Sequence, residues 1–256
     1  MTDNSKKNLK LIISYDGTDY SGWQIQKEAP TISQTLQDKF YEIFGKQVKI
    51  VGASRTDAGV HALGQVACLQ LEHDFVNRIS IDKLKQVWNS GLPKDILIRS
   101  MEEVPNDFHP QKNVEQKTYY YHFSQKRLLP FLSRYFFHYR FPLDIEKLKQ
   151  SSKVFIGTHD FRSFCTGDER ENTIRTIDSI ELEYFKRFEV YRLVFKGKSF
   201  LHHMIRRITG ALLEVSSDEY KNCDTLLKAL EDKNPEQNLL NAPAHGLLLR
   251  KIIYRK

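Results

Sequence analysis

The 256-residue sequence predicts an α+β protein of two halves, each with the β-α-β-β-α-β element order of ferredoxin-like folds. Three observations lead there. Hydrophobic periodicity and turn residues mark out alternating short strands and longer helices. The same order of elements is met twice, on either side of PNDFHPQ (105–111), whose two prolines and Asn-Asp pair interrupt any strand or helix. A hydrophobic content of 40% is ample for packed cores. No letter-by-letter repeat is visible, so the repeat is one of architecture. The expected halves are 1–108 and 109–256, within the usual size range of domains. Their sheets are expected to abut as one continuous mixed or antiparallel sheet with helices on one face, and a catalytic cleft along the junction.

In the first half, periodicity and turn residues give a strand over 9–15, a helix over 32–44, strands over 48–52 and 65–71, a helix over 81–88 and a strand over 96–104. In the second they give a strand over 117–123, a helix over 144–155, a hairpin of 175–184 and 190–196, a helix over 202–215 and a last strand over 247–254. A further helix over 222–230 is an addition to the repeat.

Bulk composition excludes several classes. No apolar run approaches the roughly 20 residues that cross a bilayer. The polar start, MTDNSKKNLK, is unlike a signal peptide, so the expected location is the cytoplasm. Cys68, Cys165 and Cys223 are odd in number and far apart, which argues against a disulfide framework or a paired-cysteine zinc site and suits small buried fillers. The formal charge of +7 favours a phosphate backbone as partner. The cations fall in small groups such as Lys126 with Arg127 and Arg206 with Arg207, a distributed footprint that suits a shaped RNA.

The most informative stretch is GASRTDAGVHALGQV (52–66). Gly52, Gly59 and Gly64 permit backbone angles barred to other residues, while Ser54, Thr56 and Asp57 can hydrogen-bond their own main chain, so a sharp turn is expected. Arg55, Asp57 and His61 crowd a permanent cation, a carboxylate and an imidazole into seven positions. An isolated Asp-Ala-Gly is an ordinary turn; the longer word is not.

That word, RTDAGVHA followed by GQV, resembles the tRNA pseudouridine synthase A family. YDGTDYSGWQ (15–24), KTYYY (117–121), HDFRSF (159–164), FLHHMIRR (200–207) and APAHGLLL (242–249) resemble its other motifs, in its order and over nearly the whole chain. Ser54 and Tyr120 depart from it, standing where the family usually has Gly and commonly has Arg. The resemblance implies an isomerase that converts uridine to pseudouridine at positions 38, 39 and 40 of the tRNA anticodon stem-loop, with Asp57 as nucleophile and no cofactor. It implies Tyr119 as the ring on which the flipped base stacks, Arg55 in the space that base leaves, Leu247 as a wall of the cleft, and a homodimer.

The residues suit that chemistry. A carboxylate nucleophile splits one hard step into easier ones. It must stay ionised, and the guanidinium of Arg55 or Arg206 can help. Tyr119 or Asp57 itself can take the proton that leaves ring carbon 5. Arg206 lies off the apolar face of Met204, Ile208 and Leu212, toward the cleft or a phosphate, while Arg207 suits a phosphate contact or solvent. His202 and His203 lack further ligands at metal-binding spacing, so no metal is expected. The motif at 15–24 and the loop at 159–164 also have plain readings as a packed turn and an anchored loop. The rival functions are a non-catalytic RNA-binding protein with a ferredoxin-like sheet, and a metal-dependent hydrolase using Asp16, Asp19 and Asp57.

Overall fold

The computed structural model describes residues 6–167 and 172–255. In chain order the elements are β1 (Lys6–Tyr15), α1 (Ile32–Phe44), β2 (Val51–Gly52), β3 (His61–Glu72), α2 (His73–Asn77), α3 (Ile81–Gly91), β4 (Ile96–Val104), β5 (Val114–Ser124), β6 (Phe137–His138), α4 (Ile145–Ser152), β7 (Gly157–Asp160), β8 (Ile174–Phe185), β9 (Val190–Gly197), α5 (Met204–Ser217), α6 (Cys223–Asp232) and β10 (Leu247–Tyr254). The elements expected from periodicity are present, including the added helix. Strand β3 starts four residues early, at His61, and β2 shrinks to two residues. The short elements α2, β6 and β7 carry too few side chains for a period to show.

The described chain divides into two compact units. One runs to Glu115 and takes in the chain from Leu249, and the other is Gln116–Leu248. The division therefore differs from 1–108 and 109–256, chiefly at the C-terminus. From Leu249 the last strand is tied into the first unit. The Arg255 amide donates to Asn113 O at 3.0 Å, Tyr254 Oη donates to Pro110 O at 2.7 Å, and the Tyr254 ring packs edge-on to Phe108. Periodicity marks a strand but not the sheet it joins.

In the first unit β1 pairs antiparallel with β3 on one side and β4 on the other, and β2 and β10 each pair with β3. Leu9, Leu11, Ile13 and Tyr15 alternate inward along β1, so a one-residue slip would expose all four. Leu36, Phe40, Leu84 and Trp88, spaced by four on α1 and α3, complete the core with Trp88 edge-on to Phe40 at 4.8 Å. Each such fully buried side chain contributes about 1.5–3 kcal/mol. Thr31 and Ser80 cap the two helices, accepting from the amides of Gln34 and Lys83.

In the second unit β5, β9, β8 and β7 are neighbours in that order, all antiparallel, and β6 lies parallel beside β5. Helix α5 is its central packing element, and Met204, Ile208 and Leu212 are buried on it as their spacing requires. Gly210 admits a crossing segment: a Cβ there would lie 1.8 Å from Leu240 O. Cys68 and Cys165 are buried, whereas Cys223, expected as a buried filler, opens α6 and is half-buried.

Candidate active site

Between β2 and β3 the chain makes the loop that carries Asp57. Its last turn is closed by the Val60 amide donating to Asp57 O at 3.1 Å, with Gly59 at φ +77°. Asp57 is half-buried rather than sealed, and Arg55 is exposed. On the β3 side the register slips by one residue between the pairs Ile13↔Gln65 and Tyr15↔Ala62. Such a bulge re-aims the chain next to a functional loop. At the bulge stands Gln65, fully buried, which grips the loop at both poles of one residue. Its Nε2 donates to Ser54 O at 2.6 Å, and its Oε1 accepts from the Ser54 amide at 3.3 Å. Ser54 makes these contacts through its main chain, which a glycine would offer equally.

The other side of the loop rests on YDGTDYSGWQ, and here the plain reading of that motif as a turn is too modest. The Trp23 amide donates to Thr56 O at 3.1 Å, Tyr15 Oη bonds Thr56 Oγ1 at 2.8 Å, and the Gly59 amide donates to Tyr20 O at 3.2 Å. The glycines are what allow the backbones so close. A Cβ on Gly17 would lie 2.1 Å from Val60 O, and one on Gly22, at φ +90°, 2.4 Å from Thr56 O. Buried His61 follows the loop, its Nδ1 accepting from the Gly17 amide at 3.1 Å and lying 3.1 Å from Asp16 Oδ1. Tyr20 donates to Asp95 at 2.8 Å, and burial pushes its phenol well above the usual range. Asp16 and Asp19 thus belong to the turn, as read from sequence, but the turn braces Asp57.

The remaining candidates lie in the second unit. Tyr119 on β5 is buried and packs edge-on to Phe200 at 5.4 Å. Tyr121, two residues on, is fully buried and donates to Pro243 O at 2.8 Å; the backbone at Gly246 passes so close that a Cβ would meet its ring at 2.6 Å. Leu247, directly after that glycine, is buried at the start of β10. Half-buried Arg206 has its Nε donating to Ala242 O at 2.9 Å, while the Ala242 amide donates back to Arg206 O at 3.1 Å. Arg207 corrects its reading as a phosphate or solvent group: its guanidinium donates to Pro235 O at 2.6 Å and Ser163 O at 3.3 Å, bracing loops of its own unit. Tyr120, where resemblance would put an arginine, has a guanidinium over its ring after all, that of Arg192 at 4.3 Å. Burial pulls the ammonium of neighbouring Lys117 down to about 8.

Gln65, Tyr15 and Trp23 are the functional residues that sequence reasoning missed. The glycines at 17 and 22 were the available signal, since paired close approaches imply that another backbone passes over them.

Together these features describe an α+β protein with one half-buried carboxylate, Asp57, on a loop fastened from both sides. The family model described as tRNA pseudouridine synthase matches residues 11–111 and 152–255. The tRNA pseudouridine synthase A of Thermodesulfovibrio yellowstonii is 35% identical over 257 residues, covering 96% of this chain and 99% of that one. Its counterpart from a Thermoanaerobacter species is 36% identical, covering 97% and 100%, and that of Limosilactobacillus reuteri is 37% identical, covering 96% of each. The chain belongs to the tRNA pseudouridine synthase family.

Proposed function

We propose that this isomerase converts uridine to pseudouridine in tRNA, at positions 38, 39 and 40 of the anticodon stem-loop, with Asp57 as the nucleophile. The reaction breaks the bond between ribose C1′ and N1, turns the uracil, and joins C1′ to C5. The C5 proton is lost and N1 gains one, so atoms and electrons balance without a redox partner or cofactor. The observation that carries the proposal is the construction around Asp57. Asp57 is half-buried rather than sealed, and its loop is anchored through Ser54 to β3, through Thr56 to β1 and through Gly59 to the turn after β1. Holding reacting groups in place is worth up to about 7–11 kcal/mol of barrier, and one misplaced by about 1 Å forfeits roughly a hundredfold in rate.

The target base must leave its stack before a carboxylate reaches the nucleoside, at a cost of a few kcal/mol. Arg55, exposed two residues from Asp57, is suited to fill the vacated space. Tyr119 is the proposed stacking partner, and Arg206 and Leu247 the proposed binding residues, on the resemblance of their motifs. The protein is proposed to act in the cytoplasm as a homodimer; no helix among the described residues is long and apolar enough to cross a membrane.

Mapping pseudouridines in tRNA incubated with purified protein tests the reading. Product is expected in the anticodon arm with wild type and none with Asp57→Ala, while tRNA affinity is kept within a few-fold. Product only outside tRNA, or undiminished product from Asp57→Ala, would refute it.

A further inference from the structure

The charge on this chain is unevenly placed. From Gln116 to Leu143 there is no Asp or Glu, and the part of this run that follows β5 holds Lys126, Arg127, Arg134 and Arg140. All four are exposed. Phe131, Tyr135 and Phe141 stand among them with relative exposures of 69%, 39% and 49%. Rings this size are ordinarily buried, and several exposed on one short segment mark a surface that meets a partner.

A second segment joins it through Ser124. Ser124 Oγ donates to Glu189 O at 2.8 Å and accepts from the Lys126 amide at 3.1 Å, and Ser124 O accepts from the Tyr139 amide at 2.9 Å. One residue at the end of β5 thereby gathers the start of the connection, its return through β6, and the turn between β8 and β9. That turn contributes exposed Lys186, Arg187 and Phe188, with the Arg187 guanidinium 5.5 Å from the Phe188 ring. Glu189 is the one carboxylate in the turn, and it is ion-paired with Lys126. The result is a face at one end of the second unit with cations and rings interleaved.

We propose that this face, centred on Arg127, Phe131, Arg187 and Phe188, is an RNA contact surface separate from the Asp57 loop. It grips phosphates through the guanidinium groups and unpaired bases through the rings. The same face of a second copy is a poor occupant, since it would set cations against cations. Polyanionic RNA answers both features, because guanidinium groups bind phosphate oxygens bidentately and every base has a face that stacks on an aromatic ring. The inference rests on tRNA as the substrate and adds where, beyond the target nucleotide, the molecule is held.

The test replaces exposed side chains together, Arg127→Gln, Phe131→Ser, Arg187→Gln and Phe188→Ser, in the full-length protein. Affinity for unmodified tRNA is measured by filter binding across a salt series, with the unfolding midpoint and the mass in solution as companions. Expected are a Kd about tenfold or more weaker, KM rising in step, and a salt dependence shallower by about two released counterions, at an unchanged midpoint. An unchanged Kd and salt slope overturns the proposal. So does loss of self-association with tRNA affinity intact, which would assign the face to contact between copies. A wild type that makes no pseudouridine refutes the functional reading itself, whereas an active wild type with an unaffected variant refutes only this surface.

Discussion

The Asp57 loop and the connection that follows β5 are both irregular segments leaving a strand, and they are built in opposite ways. The first is short and fastened at three residues, by a buried carboxamide on Ser54, a phenol and an amide on Thr56, and a carbonyl on Gly59. Gly17 and Gly22, in the turn it rests on, stand where a side chain would collide with its backbone. The second is long and cationic, with Phe131, Tyr135 and Phe141 exposed to solvent. A covalent step needs one atom in one place, so the chain gives up conformational freedom there; attraction between guanidinium groups and phosphates tolerates displacement and needs only the right sign of charge.

That contrast can be broken first at Gln65. Gln65→Leu keeps the size but removes the two hydrogen bonds to the Ser54 amide and carbonyl, at about 0.5–1.5 kcal/mol each. Single-turnover pseudouridine formation per folded molecule is expected to fall about a hundredfold with tRNA Kd unchanged. An equal loss in both would make Gln65 a binding group, and a lower melting temperature alone would make it only structural. Gly22→Ala is the next largest change. The added carbon meets Thr56 O at 2.4 Å in a backbone region that L residues avoid, so about 1–3 kcal/mol of stability is lost, seen as a lower urea midpoint. A variant as stable as wild type would show that the bed gives way.

The smallest effect sharpens the comparison from the side of charge. Lys117 has a folded pKa of about 8 against an ordinary 10.5, so it opposes folding fully below about pH 8 and fades as pH rises toward 10.5, where the unfolded chain also loses its proton. Lys117→Met is therefore expected to raise the melting temperature by a few degrees at pH 7, the gain vanishing by about pH 10.5. A gain independent of pH would contradict the assignment to burial of charge.

Most of the fold was legible in sequence because its strands and helices each present one apolar face, and a period of two or nearly four survives in the letters. The loop that carries Asp57 was legible because it gathers glycines and self-bonding side chains around one carboxylate. Two things were not. That the last strand belongs with the first unit is a long-range pairing with β3, and no local period encodes a partner so far away in the chain. That Gln65 and Tyr15 hold the loop was not legible either, because both occupy strand positions and only the fold shows which groups their polar ends meet. Arg207 was misread for a related reason, since an arginine off a helix's apolar face looks the same whether it meets solvent or two carbonyls of its own protein.

The role given to Asp57 is most directly examined by following the hydrogen on C5. With tRNA carrying tritium at C5 of its uridines and enzyme in excess, wild type should release label to water as each target uridine is rearranged. Asp57→Asn, nearly identical in shape, should bind the same tRNA and release label on the order of 10⁴-fold more slowly or not at all. Release by Asp57→Asn within tenfold of wild type would contradict a nucleophilic aspartate.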